Sequence, residues 1–168
     1  MAYFPDLSSY TYSSWDVRPN TINVGWLDSG HAFERSKTPD EVAAKLWDFC
    51  RCSVAQTRGF HLCDLPGCEH HVETSGPIGA NRNGCVLKLG SAEIRVFGAD
   101  GKIYAAPNLI YHYVTVHEYR MPDEFVRALM EGPGPESGEY VERLKALGIE
   151  WSKTPANTPP ARTRLPQA

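Results

Sequence analysis

The hydrophobic positions of this chain switch between a period of two and a period of three to four, and the switches outline its elements. Ile22, Val24 and Trp26 alternate with polar or small residues, which predicts a half-buried strand, and Asp28-Ser29-Gly30 turns the chain after it. Val42, Leu46, Phe49 and Cys50 then recur at helical spacing. Just upstream, Thr38 can cap, Pro39 suits the first helical position and Glu41 completes a Thr-x-x-Glu capping box. A helix is therefore predicted over about 39–50. Residues 57–62 read as a short extended lead into Cys63, and residues 69–84, rich in Gly, Asn, Ser and Pro, as irregular loop.

Val86-Leu87-Lys88-Leu89, Glu93-Ile94-Arg95-Val96-Phe97 and Lys102-Ile103-Tyr104 are predicted strands, separated by turns at Gly90-Ser91 and Gly98–Gly101. A helix follows from Pro107, with Leu109, Ile110, Tyr113, Val114 and His117 along one broad face. Another begins at Pro122, carries Asp123 and Glu124 where carboxylates suit the helix dipole, and buries Phe125, Val126 and Leu129. After the break at Gly132-Pro133-Gly134-Pro135, Ser137 caps a last helix that buries Tyr140, Val141, Leu144 and Leu147 and stops at Gly148. Residues 1–20 are aromatic and polar without periodicity and are expected to pack as an extended arm. The pattern thus predicts an α+β fold: a single globular domain over 1–151 with a small antiparallel sheet (a meander) and about four helices. A Pro- and Thr-rich tail over 152–168 has little to bury and is expected to be disordered.

Size and composition narrow the classes. A chain of 168 residues is one domain's worth, and no apolar run approaches the roughly 18–20 residues that cross a bilayer. The start of the chain lacks the basic and apolar segments of a secretory signal, so a cytoplasmic location is expected. The net charge is −3, and because the tail holds three basic residues and no acid, the body is more acidic still. Nucleic acid needs concentrated Lys and Arg, so it is disfavoured as a partner.

Five cysteines, an odd number, fit poorly with a disulfide framework and leave thiols for a metal or for the core. Cys50 and Cys85 read as core residues, and Cys52 is harder to place. Cys63 and Cys68 flank a turn-like Asp64-Leu65-Pro66-Gly67, while His112 and His117 share the predicted helix that follows the strands. Two thiols and two imidazoles in paired groups are the donor set of a tetrahedral structural Zn²⁺. Their order, a cysteine turn, a hairpin and then a helix with two histidines, is that of a ββα zinc finger enlarged by insertion. The competing reading is a buried thiol pair beside two hydrogen-bonded histidines.

His61, His70 and His71 could replace a predicted ligand and open the site. That is the basis of an alternative, a metal-dependent hydrolase or nuclease with an open zinc position near His70, His71 and Glu73, with Glu69 and Glu118 as further candidate acids or bases. His71-Val72-Glu73 resembles half of a deaminase motif, but no Pro-Cys-x-x-Cys follows. There is no His-Glu-x-x-His, and the strand before the helix lacks the Asp-His pair of an HNH nuclease. No catalytic residue is assigned, and binding or regulation through a protein partner is the favoured role.

The segments Arg58-Gly59-Phe60-His61-Leu62-Cys63, Glu93-Ile94-Arg95-Val96 and Tyr104-Ala105-Ala106-Pro107-Asn108-Leu109-Ile110-Tyr111-His112-Tyr113 resemble those of a family of small bacterial proteins, a domain of unknown function. The likeness continues through His117–Phe125 and includes Asn23–Asp28, so it spans roughly residues 3–130. The family's first pair is a shorter Cys-x-x-Cys, lengthened here by Asp64–Gly67. The resemblance implies a bacterial origin and the pairing of these motifs, and it implies no activity.

Overall fold

The computed structural model describes residues 2–11, 20–69 and 76–149. His70, His71, Glu73 and the 152–168 tail, all named above, lie outside the described residues, as do residues 12–19 of the arm and the domain boundary at 151.

The α+β class holds, but the strands divide between two small sheets. In the first, β1 (Thr21–Asn23) runs parallel to β5 (Ile103–Pro107), and β4 (Glu93–Phe97) pairs with β5 antiparallel, giving the order β1-β5-β4. Thr21 lies opposite Ile103, and Glu93 lies opposite Pro107. The second sheet is a hairpin of β2 (Ile78–Arg82) and β3 (Cys85–Leu89).

The expected meander is corrected on this point: β3 pairs with β2, not with β4. The reason lies at Gly90 and its neighbours. His61 donates its backbone N–H to Gly90 O at 2.7 Å, Thr57 N–H to Ser91 O at 2.6 Å, and Val54 exchanges both backbone bonds with Glu93. The 54–61 segment therefore occupies the edge that β3 would have needed. β2 itself was expected to be loop. Asn83-Gly84, with φ of 52° and 78°, turns the hairpin in the left-handed region that Asn-Gly favours, and Ile78 and Leu89 are buried across from each other.

Four helices complete the described fold: α1 (Asp40–Arg51), α2 (Ile110–Val116), α3 (Asp123–Glu131) and α4 (Gly138–Ala146). Ser137 caps α4 as expected, its Oγ accepting from Tyr140 N–H at 3.2 Å, and Gly148 (φ 64°) ends it. The capping box at α1 does not form. Pro39 stands at the cap position and no side chain bonds there, so Thr38 lies one residue too early. Likewise Pro107 closes β5, and α2 begins only at Ile110.

One large hydrophobic cluster unites Leu46 and Phe49 of α1, Ile94 and Val96 of β4, Phe125 and Leu129 of α3, and Tyr140 and Leu144 of α4. The N-terminal arm lies against β1, with Phe4 bridging to Trp26 and Ser9 to Ile22. Cys50 and Cys52 are buried, whereas Cys85 is only partly so. Among the described residues no helix is long and apolar enough to cross a membrane.

Candidate metal centre

Cys63 and Cys68 are held by a tight turn. Gly67 takes φ 77°, Cys68 N–H returns to Leu65 O at 3.2 Å, and Leu65 is fully buried between the two thiols in sequence. With its middle pinned in the core, the turn buries both cysteines.

The histidines come from the other side. His112 lies in the first turn of α2 and is buried. His117 is five residues on, which in an unbroken helix would place it about 140° around the axis from His112. The helix ends at that point. His117 is the C-cap, with φ −102° and ψ 2°, and Glu118 takes φ 56°. Both His117 N–H and Tyr119 N–H return to Tyr113 O, at 3.1 and 3.0 Å. This fold-back brings the His117 ring edge-on to His112, with centroids 5.1 Å apart.

All four side chains converge, and their donor atoms lie within 4.8 Å of one another. Cys63 Sγ is 3.3 Å from His117 Nε2, and Cys68 Sγ is 3.4 Å from His112 Nε2. With Zn–S near 2.3 Å and Zn–N near 2.0–2.1 Å, a tetrahedral ion would hold sulfur and nitrogen about 3.5 Å apart. The spacing therefore fits a metal ion. Four protein donors fill a tetrahedron, so an ion held by all of them has no open position for substrate.

Burial shapes the protonation of the cluster. It pushes the Cys63 thiol well above its ordinary range, with the neighbouring Cys68 adding to the effect. It lowers the His117 pKa, and Arg35 lowers it further. The Tyr113 hydroxyl, buried beside Cys63, is raised as well, chiefly by desolvation. A neutral Cys63 thiol and a neutral His117 imidazole are thus favoured, and a metal would have to displace the Cys63 thiol proton to bind.

This chain belongs to a family described as a domain of unknown function, DUF7919. The family model matches residues 2–130, which include the four cluster residues, the described strands, α1, α2 and all but the last residue of α3. No curated protein and no solved structure matches the chain.

The other sequence candidates fall elsewhere. His61 is partly buried and lines a small cavity with Thr57, Gly90, Ser91 and Glu93, outside the four-residue cluster. Glu69 and Glu118 are exposed. One group escaped the sequence reading. Glu93 and Arg95, on the same face of β4, form an ion pair at 2.6 Å with side chains only 8% and 5% exposed. Tyr10 closes it from the N-terminal arm, its hydroxyl donating to Glu93 at 3.0 Å and its ring lying 5.0 Å from the Arg95 guanidinium. The only sequence signal was two charges alternating with Ile94, Val96 and Phe97, which reads equally well as a solvated strand face.

Proposed function

We propose that this domain is a zinc-clasped recognition module: a structural Zn²⁺ on Cys63, Cys68, His112 and His117 fixes the fold, and the protein acts by binding a protein partner. The observation that carries the metal reading is the pair of sulfur–nitrogen distances, 3.3 and 3.4 Å, among four buried donors of the type zinc prefers. Zinc is chosen over other divalent ions because a two-sulfur, two-nitrogen set of this shape suits it. The recognition reading is supported by an acidic surface without a catalytic constellation among the described residues.

The clasp joins the 61–68 segment to α2 and its C-cap, with β2 to β5 between them in sequence. Metal affinity at such a site is folding free energy, since the unfolded chain holds no preformed site. Elemental analysis of protein purified without chelator should give close to one zinc per chain. Cys63→Ser should lose the metal and lower the Tm by ~10 °C or more, given several kcal/mol of lost clasp at about 2–4 °C per kcal/mol. Zinc below half an equivalent, or an unchanged Tm in the variant, would show that the cluster is held by S–H and N–H hydrogen bonds alone. Tetrahedral cobalt absorption in the visible after Co²⁺ loading provides a third readout of the same donor set.

A further inference from the structure

A cavity of about 370 Å³ opens where three distant parts of the chain meet: the N-terminal arm, the 27–34 loop and the residues leading into α3. That volume falls in the range of about 300–1,000 Å³ typical of ligand pockets. Leu27 and Met121 are buried and give it an apolar floor. Its walls include the partly exposed rings of Tyr3, Phe4 and Phe33. Each ring packs against a neighbouring ring. Tyr3 stacks flat on His31 at 3.6 Å, Phe4 meets Trp26 edge-on at 5.8 Å, and Phe33 meets Tyr119 edge-on at 6.0 Å. Walls ordered before binding reduce the entropy lost when a ligand enters.

The remaining lining is acidic. Asp6, Glu34 and Asp123 supply three carboxylates against a single guanidinium, that of Arg120. Arg120 is shared between Glu34 at 2.9 Å and Asp123 at 3.4 Å, and all three of these side chains reach solvent. Asp6 accepts from Gly25 N–H at 2.8 Å and from the Tyr119 hydroxyl at 2.7 Å, which fix its carboxyl in place, while burial raises its pKa. Phe33 already carries one cation, the Arg35 guanidinium 5.1 Å from its centroid.

We propose that this cavity receives the side chain of a lysine or arginine from a partner protein. The inference rests on the recognition reading above and gives that partner a chemistry. Aromatic walls and an excess of carboxylates favour an organic cation. The apolar floor suits the methylene stem of a basic side chain, whose charged head then meets the rim. The same acidic rim repels phosphate.

The test is titration of the full-length, isotope-labelled protein with acetyl-Gly-Arg-Gly-amide, its citrulline counterpart and spermidine, followed by amide chemical shifts. The arginine peptide should give saturable shifts confined to residues 3–6, 27–34 and 120–123, and the neutral citrulline peptide should give none. The double variant Glu34→Gln, Asp123→Asn removes exposed ion pairs and one carboxylate from the first turn of α3, so it should stay folded with a Tm within a few degrees of wild type and bind about fivefold more weakly or worse. Equal shifts with citrulline, shifts scattered over the acidic surface, or no saturation would each overturn the proposal. Binding of spermidine without binding of the peptide would overturn the protein source of the cation. Zinc measured on the same sample separates the two readings. One equivalent of zinc without peptide binding removes only the cavity assignment, and peptide binding by zinc-free protein removes only the metal.

Discussion

At the scale of single residues, the four cluster side chains are defined by chemistry that few residues can supply. Cysteine and histidine in pairs were legible because donor type and short spacing survive in the sequence. What could not be read was how His117 reaches the site. Its spacing from His112 is wrong for one helix face, and the left-handed Glu118 repairs it by ending α2 there. A non-glycine residue held at positive φ stores backbone strain, which the surrounding contacts must offset.

The lowered pKa of His117 gives a pH signature with a definite sign. Burial favours its neutral form in the folded state, so the unfolded chain binds more protons as the pH falls toward the ordinary histidine value of 6.5. The stability this residue contributes is therefore present above that value and is lost below it. In metal-free protein the urea midpoint should drop between pH 7.5 and pH 5.5, and His117→Gln should flatten that drop. An identical pH dependence in the variant would assign the effect to other groups.

At the scale of elements, local turn chemistry decided more than the hydrophobic pattern did. Ser137 and Gly148 bracket α4 as their residue types dictate. Asn83-Gly84 is an equally local hairpin signal, hidden because Gly79 and Asn81 made the preceding strand look like loop. Gly90 presents the opposite case. Its φ of 96° and the approach of the His61 carbonyl exclude a Cβ, yet a glycine between two apolar runs reads simply as a hairpin turn. Gly90→Ala should force apart the 54–61 segment and the start of β4. The expected cost is about 1–3 kcal/mol, readable as a lower urea midpoint, with the Cys/His cluster perturbed because Cys63 lies two residues from His61. Gly84→Ala, where no atom lies within 4 Å of the added carbon, is the comparison that separates crowding from φ strain.

At the scale of the whole molecule, the family match ends at residue 130, yet the core does not. Tyr140 of α4 sits edge-on to both Phe49 of α1 and Phe97 of β4, at 5.6 and 5.4 Å, and its hydroxyl donates to Arg95 O at 2.9 Å. That backbone belongs to the residue whose side chain forms the buried pair with Glu93. α4 is thus an integral wall of this chain's core. Tyr140→Ala should cost about 3–5 kcal/mol, the usual range for emptying a large buried aromatic site. A loss below 1 kcal/mol in denaturant unfolding would show that α4 is a peripheral attachment.

By itself the sequence determined the α+β class, the approximate helices and which two cysteines and two histidines belong together, since periodicity, caps and residue chemistry are properties of neighbouring residues. Only the tertiary structure decided which strand pairs with which, that β1 joins β5 in parallel, and that Glu93, Arg95 and Tyr10 share a buried site. It also assembled the acid-rimmed cavity from three segments far apart in the chain. These features depend on contacts between residues up to 113 positions apart, as between Asp6 and Tyr119, and such closures leave no periodic mark in the chain.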